Sequence, residues 1–177
     1  MKILHLVLLI SGIFLFSCVN TNEEKNQDEK STEEQIAGLE ADLFGDENMR
    51  MNKRKALDLV KLYVKFSDNQ PSDPRSSDYL FKAADISMNL NRPSQTIALF
   101  DQFIKRYPDH EKAPTALFLK GFVLEDQIQD YEGAREVYTQ FLERYPESDF
   151  ADDAKMSLEN LGKTPEELIR EFESQSQ

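Results

Sequence analysis

"FDQFIKRYPD" at residues 100–109 returns as "YTQFLERYPE" at residues 138–147. Seven of the ten columns match or nearly match: an aromatic, Gln, Phe, a branched aliphatic, Arg, Tyr and Pro. A catalytic motif rarely needs a second copy, whereas a structural unit that stacks on its own copy does. The repeat therefore predicts a fold of stacked units. It also indicates that the repeated aromatic residues pack in the core between them.

Apolar residues recur at helical spacing from residue 49 onward, and this pattern predicts about seven helices. Pro108 and Pro146 end two of them, because proline lacks a backbone N–H and biases the preceding residue toward extended structure. Thr164, with Glu167 three residues later, is typical of a capping box that starts the last helix. No segment has a persuasive strand pattern, so the fold class is all-α.

The pairing of these helices resembles the tetratricopeptide repeat (TPR). Gly121 stands where that family has its glycine, and the second helix follows the family spacing. The matching positions of that helix and of the preceding unit are Tyr131, Ala134, Tyr138, Pro146, Ala84, Phe100, Phe103 and Pro108. The period is 38 and Trp is absent. The resemblance implies a short TPR-like solenoid of antiparallel helix pairs over residues 49–177, following a disordered tether.

A narrower pattern, F-L-x-x-Y-P-x-S, follows the small-residue column of the second unit. It resembles the helical lipoprotein of the outer-membrane β-barrel assembly machinery and the C-terminal repeat domain of the Tol-Pal coordinator of cell division, over roughly residues 75–162. The resemblance implies a protein of the bacterial cell envelope. Ala56, Val60 and Tyr63 look like the second helix of an earlier unit, and whether residues 49–70 complete a third repeat stays open.

The first 17 residues predict a lipoprotein signal peptide. Lys2 is followed by an apolar run, then by the small residue Ser17 and the single cysteine, Cys18. Leu15 to Cys18 resembles the lipobox, where signal peptidase II cleaves before the cysteine, so Cys18 would carry the lipid. An uncleaved membrane anchor and ordinary secretion are the alternatives. By analogy with sorting rules, Val19 favours the outer membrane, facing the periplasm, although the cell surface stays open.

Residues 18–48 predict a lipidated cysteine followed by a disordered acidic linker. The stretch is rich in Asn, Gln, Glu and Asp, and such a composition buries too little apolar surface to offset the entropy of ordering. The acidic run is alternatively an export signal to the cell surface. A short amphipathic turn at Ile36, Leu39, Leu43 and Phe44 is the other possibility.

The charge balance limits the partners. Lys and Arg number 21 against 33 Asp and Glu, a formal net charge of −12. Nucleic acid is excluded as a partner because phosphate contacts require clustered basic residues. The sequence holds no phosphate-binding loop, nucleophile motif or zinc-binding motif, so neither catalysis nor a metal or cofactor is expected.

The sequence therefore predicts a lipid-anchored adaptor of the cell envelope, held at the membrane by its lipid, that binds an envelope protein or peptide in a groove lined by the first helices. The predicted groove residues are Tyr79, Lys82, Asp85, Lys120 and Glu125. The alternative is a structural homo-oligomer without a peptide groove, pairing through the ends of the solenoid at Ala56–Phe66 and Leu168–Phe172.

Overall fold

The computed structural model describes residues 31–45 and 52–175, and within these two stretches the chain forms α-helices and no strand. The prediction of an all-α fold is confirmed. The helices are α1 (Thr32–Phe44), α2 (Lys53–Asn69), α3 (Arg75–Asn89), α4 (Pro93–Arg106), α5 (Ala113–Phe122) with a π-helical continuation (Val123–Ile128), α6 (Tyr131–Arg144), α7 (Ala151–Asn160) and α8 (Pro165–Gln175).

Consecutive helices pack against each other and form three pairs. The pairs are α1 with α2, α3 with α4, and α5 plus its π continuation with α6; α7 then packs on α6. The seven predicted helices are all present as α2 to α8. Residues 49–70 thus hold the second helix of an additional unit, and α1 supplies its first helix.

Helix α1 corrects the linker expected over residues 18–48. Ser31 caps it, accepting from the Glu34 backbone N–H, while the Glu34 carboxylate accepts from the Ser31 N–H. Ile36 is 1% exposed and Leu43 is also buried, and both join the core that contains Tyr63. Two apolar residues seven positions apart lie on one helical face, and this face packs against the core. Residues 18–30 and 46–48 of the expected linker lie outside the described residues.

Aromatic side chains fill the joints between helices, as the repeat predicts. Phe100, Phe103, Tyr138 and Phe141 are each 0% exposed. Their rings contact the rings of first-helix residues: Phe81 lies 5.5 Å from Phe103, centroid to centroid, in an edge-on arrangement. The core therefore sits between the helix pairs, where neither unit could exclude water alone.

The third unit shows why one glycine is required. A Cβ on Gly121 would lie 2.7 Å from Cε1 of Tyr138, so only glycine allows the two helices to approach this closely. The helix then widens into the π segment Val123–Ile128 and ends at Gln129, which has a φ of 62°. Asp130 caps the following helix by accepting from the Gly133 N–H at 3.1 Å. The apolar pattern did not predict the π segment.

Ion pairs connect the first unit to the second along both rows of helices, and the second unit to the third along the row of first helices. Such surface pairs each contribute little to stability, but together they fix how the units face one another. They are Glu33–Arg75 at 3.9 Å and Glu40–Lys82 at 3.0 Å from α1 to α3, Asp68–Arg106 at 2.6 Å from α2 to α4, and Asp78–Lys112 at 2.6 Å from α3 to the start of α5.

Helix α8 lies at the periphery. The predicted capping box is confirmed, since Thr164 N–H donates to the Glu167 carboxylate at 2.8 Å and Glu167 N–H donates to the Thr164 hydroxyl at 3.3 Å. Ile169 is 58% exposed. A local ion pair, Lys163 to Glu171 at 2.6 Å, ties the helix to the turn before it.

Candidate functional site

A pocket of about 220 Å³ opens between the first helices of the first two units, and we call it the notch. In stacked helix pairs this row of helices forms the concave binding face. Helix α1 contributes one wall, α3 the other, and a tyrosine of α2 forms the base. The lining residues are Glu40, Phe44, Tyr63, Lys82, Asp85, Ile86 and Asn89.

Tyr63 forms a rigid base for the notch. Its side chain is 0% exposed and stacks on Tyr79, with ring centroids 4.8 Å apart and planes 20° apart. Its hydroxyl donates to Oε1 of Glu40 at 2.5 Å. Burial, together with the neighbouring carboxylate of Glu40, raises the pKa of Tyr63 well above its ordinary value, so the hydroxyl remains a neutral donor.

Glu40 joins all three helices around the notch. Its Oε1 accepts from the Tyr63 hydroxyl and from Nζ of Lys82 at 3.0 Å. Partial burial opposes ionisation, but these two hydrogen bonds prevail and lower the pKa of Glu40. The Lys82 ammonium also lies 5.7 Å from the ring centroids of both Tyr63 and Tyr79, within cation–π range. The charges of Glu40 and Lys82 are therefore satisfied by each other.

Asp85 is the unsatisfied charge of the notch. It is half-buried, and burial raises the pKa of its carboxyl group, opposed only by a hydrogen bond from the Asn89 side chain. None of the lysines and arginines in the described stretches pairs with it. Since Glu40 and Lys82 cancel, the lining carries one net negative charge.

Apolar side chains complete the notch. Phe44 is 53% exposed although it is a large aromatic residue, whereas Ile86 on the facing helix is 6% exposed. The lining contains no Ser, Thr, Cys or His. The arrangement suits recognition of a side chain through one apolar wall and one carboxylate.

The structure separates the five predicted groove residues into two groups. Lys82 and Asp85 line the notch, and Tyr79 supports its base. Lys120 instead pairs with Asp101 of α4 at 2.6 Å and is 19% exposed. Glu125 accepts from the Tyr138 hydroxyl at 2.8 Å inside the third unit. Lys120 and Glu125 therefore make contacts within the chain and do not line the notch.

The Tyr138–Glu125 hydrogen bond is the counterpart of Tyr63–Glu40. In each case the tyrosine sits on a second helix and the glutamate lies near the end of the first helix of the same unit. The second unit has Phe100 at the corresponding place and makes no such bond. The pair is therefore a recurring joint, and the added ion pair to Lys82 is what distinguishes the joint beneath the notch.

Five residues that line the notch were not among the predicted groove residues: Glu40, Phe44, Tyr63, Ile86 and Asn89. Glu40 and Phe44 lie on α1, which the sequence analysis assigned to the linker, with a short amphipathic turn as the alternative. The sequence did carry a signal for that helix. Ser31 followed by Glu34 is a capping box, and Ile36 and Leu43 repeat at helical spacing. Both signals are weak in an acidic stretch.

Residues 31–45 and 52–175, which the structure describes, show neither a membrane-spanning helix nor a metal-binding cluster. No helix there is both long enough and apolar enough to cross a bilayer. No cluster of three or more His, Cys, Asp or Glu side chains there is arranged to hold a metal ion. The predicted signal peptide and Cys18 lie outside the described residues.

The chain matches a known protein family. A family model described as "YfiO: Outer membrane lipoprotein" matches residues 67–164, more than half of the 177-residue chain. No curated protein matches the chain. The matched stretch contains the α3 wall of the notch, while Glu40 and Phe44 of the α1 wall precede it. The resemblance to an envelope lipoprotein of the repeat class is confirmed.

Proposed function

The chain belongs to the YfiO family of outer membrane lipoproteins, and from this premise we propose that it is a lipid-anchored adaptor of the cell envelope. In this role, the first-helix face binds a protein or peptide partner while the lipid holds the domain at the membrane. The protein acts by binding and carries out no reaction of its own.

One observation carries the proposal: an aromatic side chain, Phe44, is more than half exposed at the edge of a preformed pocket. Exposed aromatic residues beside pockets are the usual anchors of protein interfaces, because they add large apolar contact area at little entropic cost. The base of the pocket is rigid, since Tyr63 is buried, stacked and hydrogen-bonded. A rigid pocket lowers the cost of ordering on binding.

The proposed anchor is a lipid on Cys18 after removal of residues 1–17. Residues 18–30 would then be the tether, shorter than the linker first expected, because the helical domain already begins at Ser31. Acyl chains contribute about 0.8 kcal/mol for each buried CH₂ group, and stable anchoring takes more than one chain. The domain would face the periplasm from the outer membrane.

The test is recovery of partners from detergent-solubilised envelopes with the lipidated protein as bait. We expect a reproducible protein partner whose recovery falls at least severalfold with Phe44→Ala. Met156→Ala is the matched control, because Met156 is 57% exposed on α7, away from the notch. A partner set unchanged by Phe44→Ala, or no reproducible partner, would remove the proposal.

A second candidate is a structural homo-oligomer, favoured by the exposed Ile169 of α8 and Met156 of α7. Within the other end expected for self-pairing, Ala56 and Phe66 are each 1% exposed and pack inside the chain. Light scattering on the chain lacking residues 1–18 separates the two candidates. A stable dimer that Ile169→Asp dissolves favours the oligomer, and a monomer favours the adaptor.

A further inference from the structure

We propose that the notch recognises a cationic side chain, a lysine or arginine, presented by the bound segment of the partner. This inference rests on the proposed adaptor function. It specifies which kind of partner side chain the notch binds. The occupant is one long side chain with an apolar stem and a positive head.

The size of the notch fits one side chain. Its volume of about 220 Å³ is smaller than the roughly 300–1,000 Å³ of pockets that enclose whole small ligands. It opens between two helices, α1 and α3, so an extended segment could lie along the first-helix face and insert a single residue. The notch is therefore an anchor subsite within a longer groove.

The charges of the notch select a cation. Glu40 already accepts from Tyr63 and Lys82, and the Lys82 ammonium is held by that carboxylate and by two tyrosine rings. Asp85 has no cationic partner among the described residues, and burial raises the pKa of its carboxyl group. A partly desolvated carboxylate gains from an opposite charge that reaches it with good geometry. An acidic side chain would meet repulsion instead.

The walls select an aliphatic or planar stem. Phe44 presents an exposed ring on one side, and Ile86 closes the other side. Lysine and arginine bury their methylene stems against apolar surfaces while the charged head remains solvated or paired, and arginine also stacks on aromatic rings. Asn89, which lines the notch beside Asp85, offers a polar neighbour for the incoming head group.

Among the described residues, no lysine or arginine of the chain itself pairs with Asp85. Lys82 lies three residues before Asp85 on α3 but reaches across to Glu40 on α1. A Lys82–Asp85 pair at this spacing would be ordinary on a helix surface. Because Lys82 is drawn away by Glu40 and the tyrosines, Asp85 remains open to a cation from outside.

The experiment uses the full chain in detergent micelles and two five-residue probes. One is acetyl-Gly-Ser-Arg-Ser-Gly-amide, and the other replaces arginine with citrulline, which has nearly the same shape but no charge. Binding is followed by NMR shifts of the amides of Asp85, Ile86 and Asn89. We expect the arginine probe to bind about tenfold more tightly, the effect of one charge-assisted hydrogen bond.

Asp85→Asn should abolish the preference between the probes while leaving the chain folded, because no internal ion pair is lost. Asp149→Asn, which removes an exposed carboxylate before α7, should leave the preference unchanged. Thermal unfolding of both variants checks the fold.

Equal affinities for the two probes would overturn the inference but leave the adaptor function standing, since the groove would still bind peptides. A preference that survives Asp85→Asn would also overturn it. If neither probe shifts the notch amides while an envelope partner still depends on Phe44, the cation selectivity is wrong and the adaptor function remains. If the arginine probe is not preferred and partner recovery does not depend on Phe44, both proposals are wrong.

Discussion

Helices α1 and α8 stand at the two ends of the repeat array and begin in the same way. Each has a capping box, Ser31 with Glu34 and Thr164 with Glu167, and each carries acidic residues in its first turn. Yet α1 packs into the core, whereas Ile169 of α8 is 58% exposed. Equal local signals for a helix thus lead to different tertiary outcomes.

The difference lies in what the neighbouring helices offer. Tyr63 and Lys82 both bond to Glu40 of α1, and Lys55 pairs with Asp42 of the same helix at 2.8 Å. In the described part of α8 the ion pair is local, from Lys163 to Glu171. A capping box decides where a helix starts, but complementary side chains on another element decide whether it docks. The notch exists because α1 docks.

The largest expected effect comes from replacing an isoleucine with alanine in α1 and, for comparison, in α8. Ile36→Ala should lower the free energy of unfolding by about 2–5 kcal/mol, since it leaves a cavity at a side chain that is 1% exposed. Ile169→Ala should change it by no more than about 0.5 kcal/mol, because the side chain is mainly in solvent. Urea unfolding followed by circular dichroism measures both. Similar small effects would mean that α1 does not contribute to the core.

The contrast also explains how far the sequence could predict the fold. Helices α2 to α8 were predictable because their apolar residues recur over many turns and prolines such as Pro108 and Pro146 separate them. Helix α1 was anticipated only as the alternative of a short amphipathic turn, because its two buried residues, Ile36 and Leu43, stand in an acidic stretch. Its stability comes from contacts with Tyr63 and other distant residues, and composition cannot report these.

The candidate site was predictable to the same extent. Lys82 and Asp85 were identified because they lie on the polar side of a strongly periodic helix. Glu40 and Phe44 were not, since they belong to α1. Lys120 and Glu125 were assigned to the groove from helical position alone, but the structure directs them to Asp101 and Tyr138. Helical periodicity identifies the exposed face and cannot tell which exposed charges pair internally.

Two glycines differ in their surroundings: Gly121 of α5 lies against the Tyr138 ring, whereas Gly38 lies on the open side of α1. Gly121→Ala should destabilise the chain by about 1–3 kcal/mol, because the new Cβ would lie 2.7 Å from the Tyr138 ring. Gly38→Ala should stabilise it by about 0.5–1 kcal/mol, because nothing lies within 4 Å and alanine favours the helix. The gain at Gly38 requires that α1 folds with the rest of the chain. Urea midpoints unchanged by Gly38→Ala would indicate that α1 forms independently.

Removing the N-cap of each end helix should give the smallest effects, and it compares the two ends directly. Ser31→Ala should lower the free energy of global unfolding by about 1 kcal/mol, since an N-cap is lost from a helix that is docked in the core. Thr164→Ala removes the same kind of cap from α8, whose described side chains are not fully buried. It should therefore leave global unfolding unchanged and instead speed amide exchange in Pro165–Gln175 alone, because a peripheral helix opens locally. Hydrogen exchange measured by mass spectrometry separates these responses.

If Thr164→Ala shifted global unfolding as much as Ser31→Ala, α8 would be coupled to the core through contacts beyond those that define its cap. The asymmetry between the two ends would then be wrong.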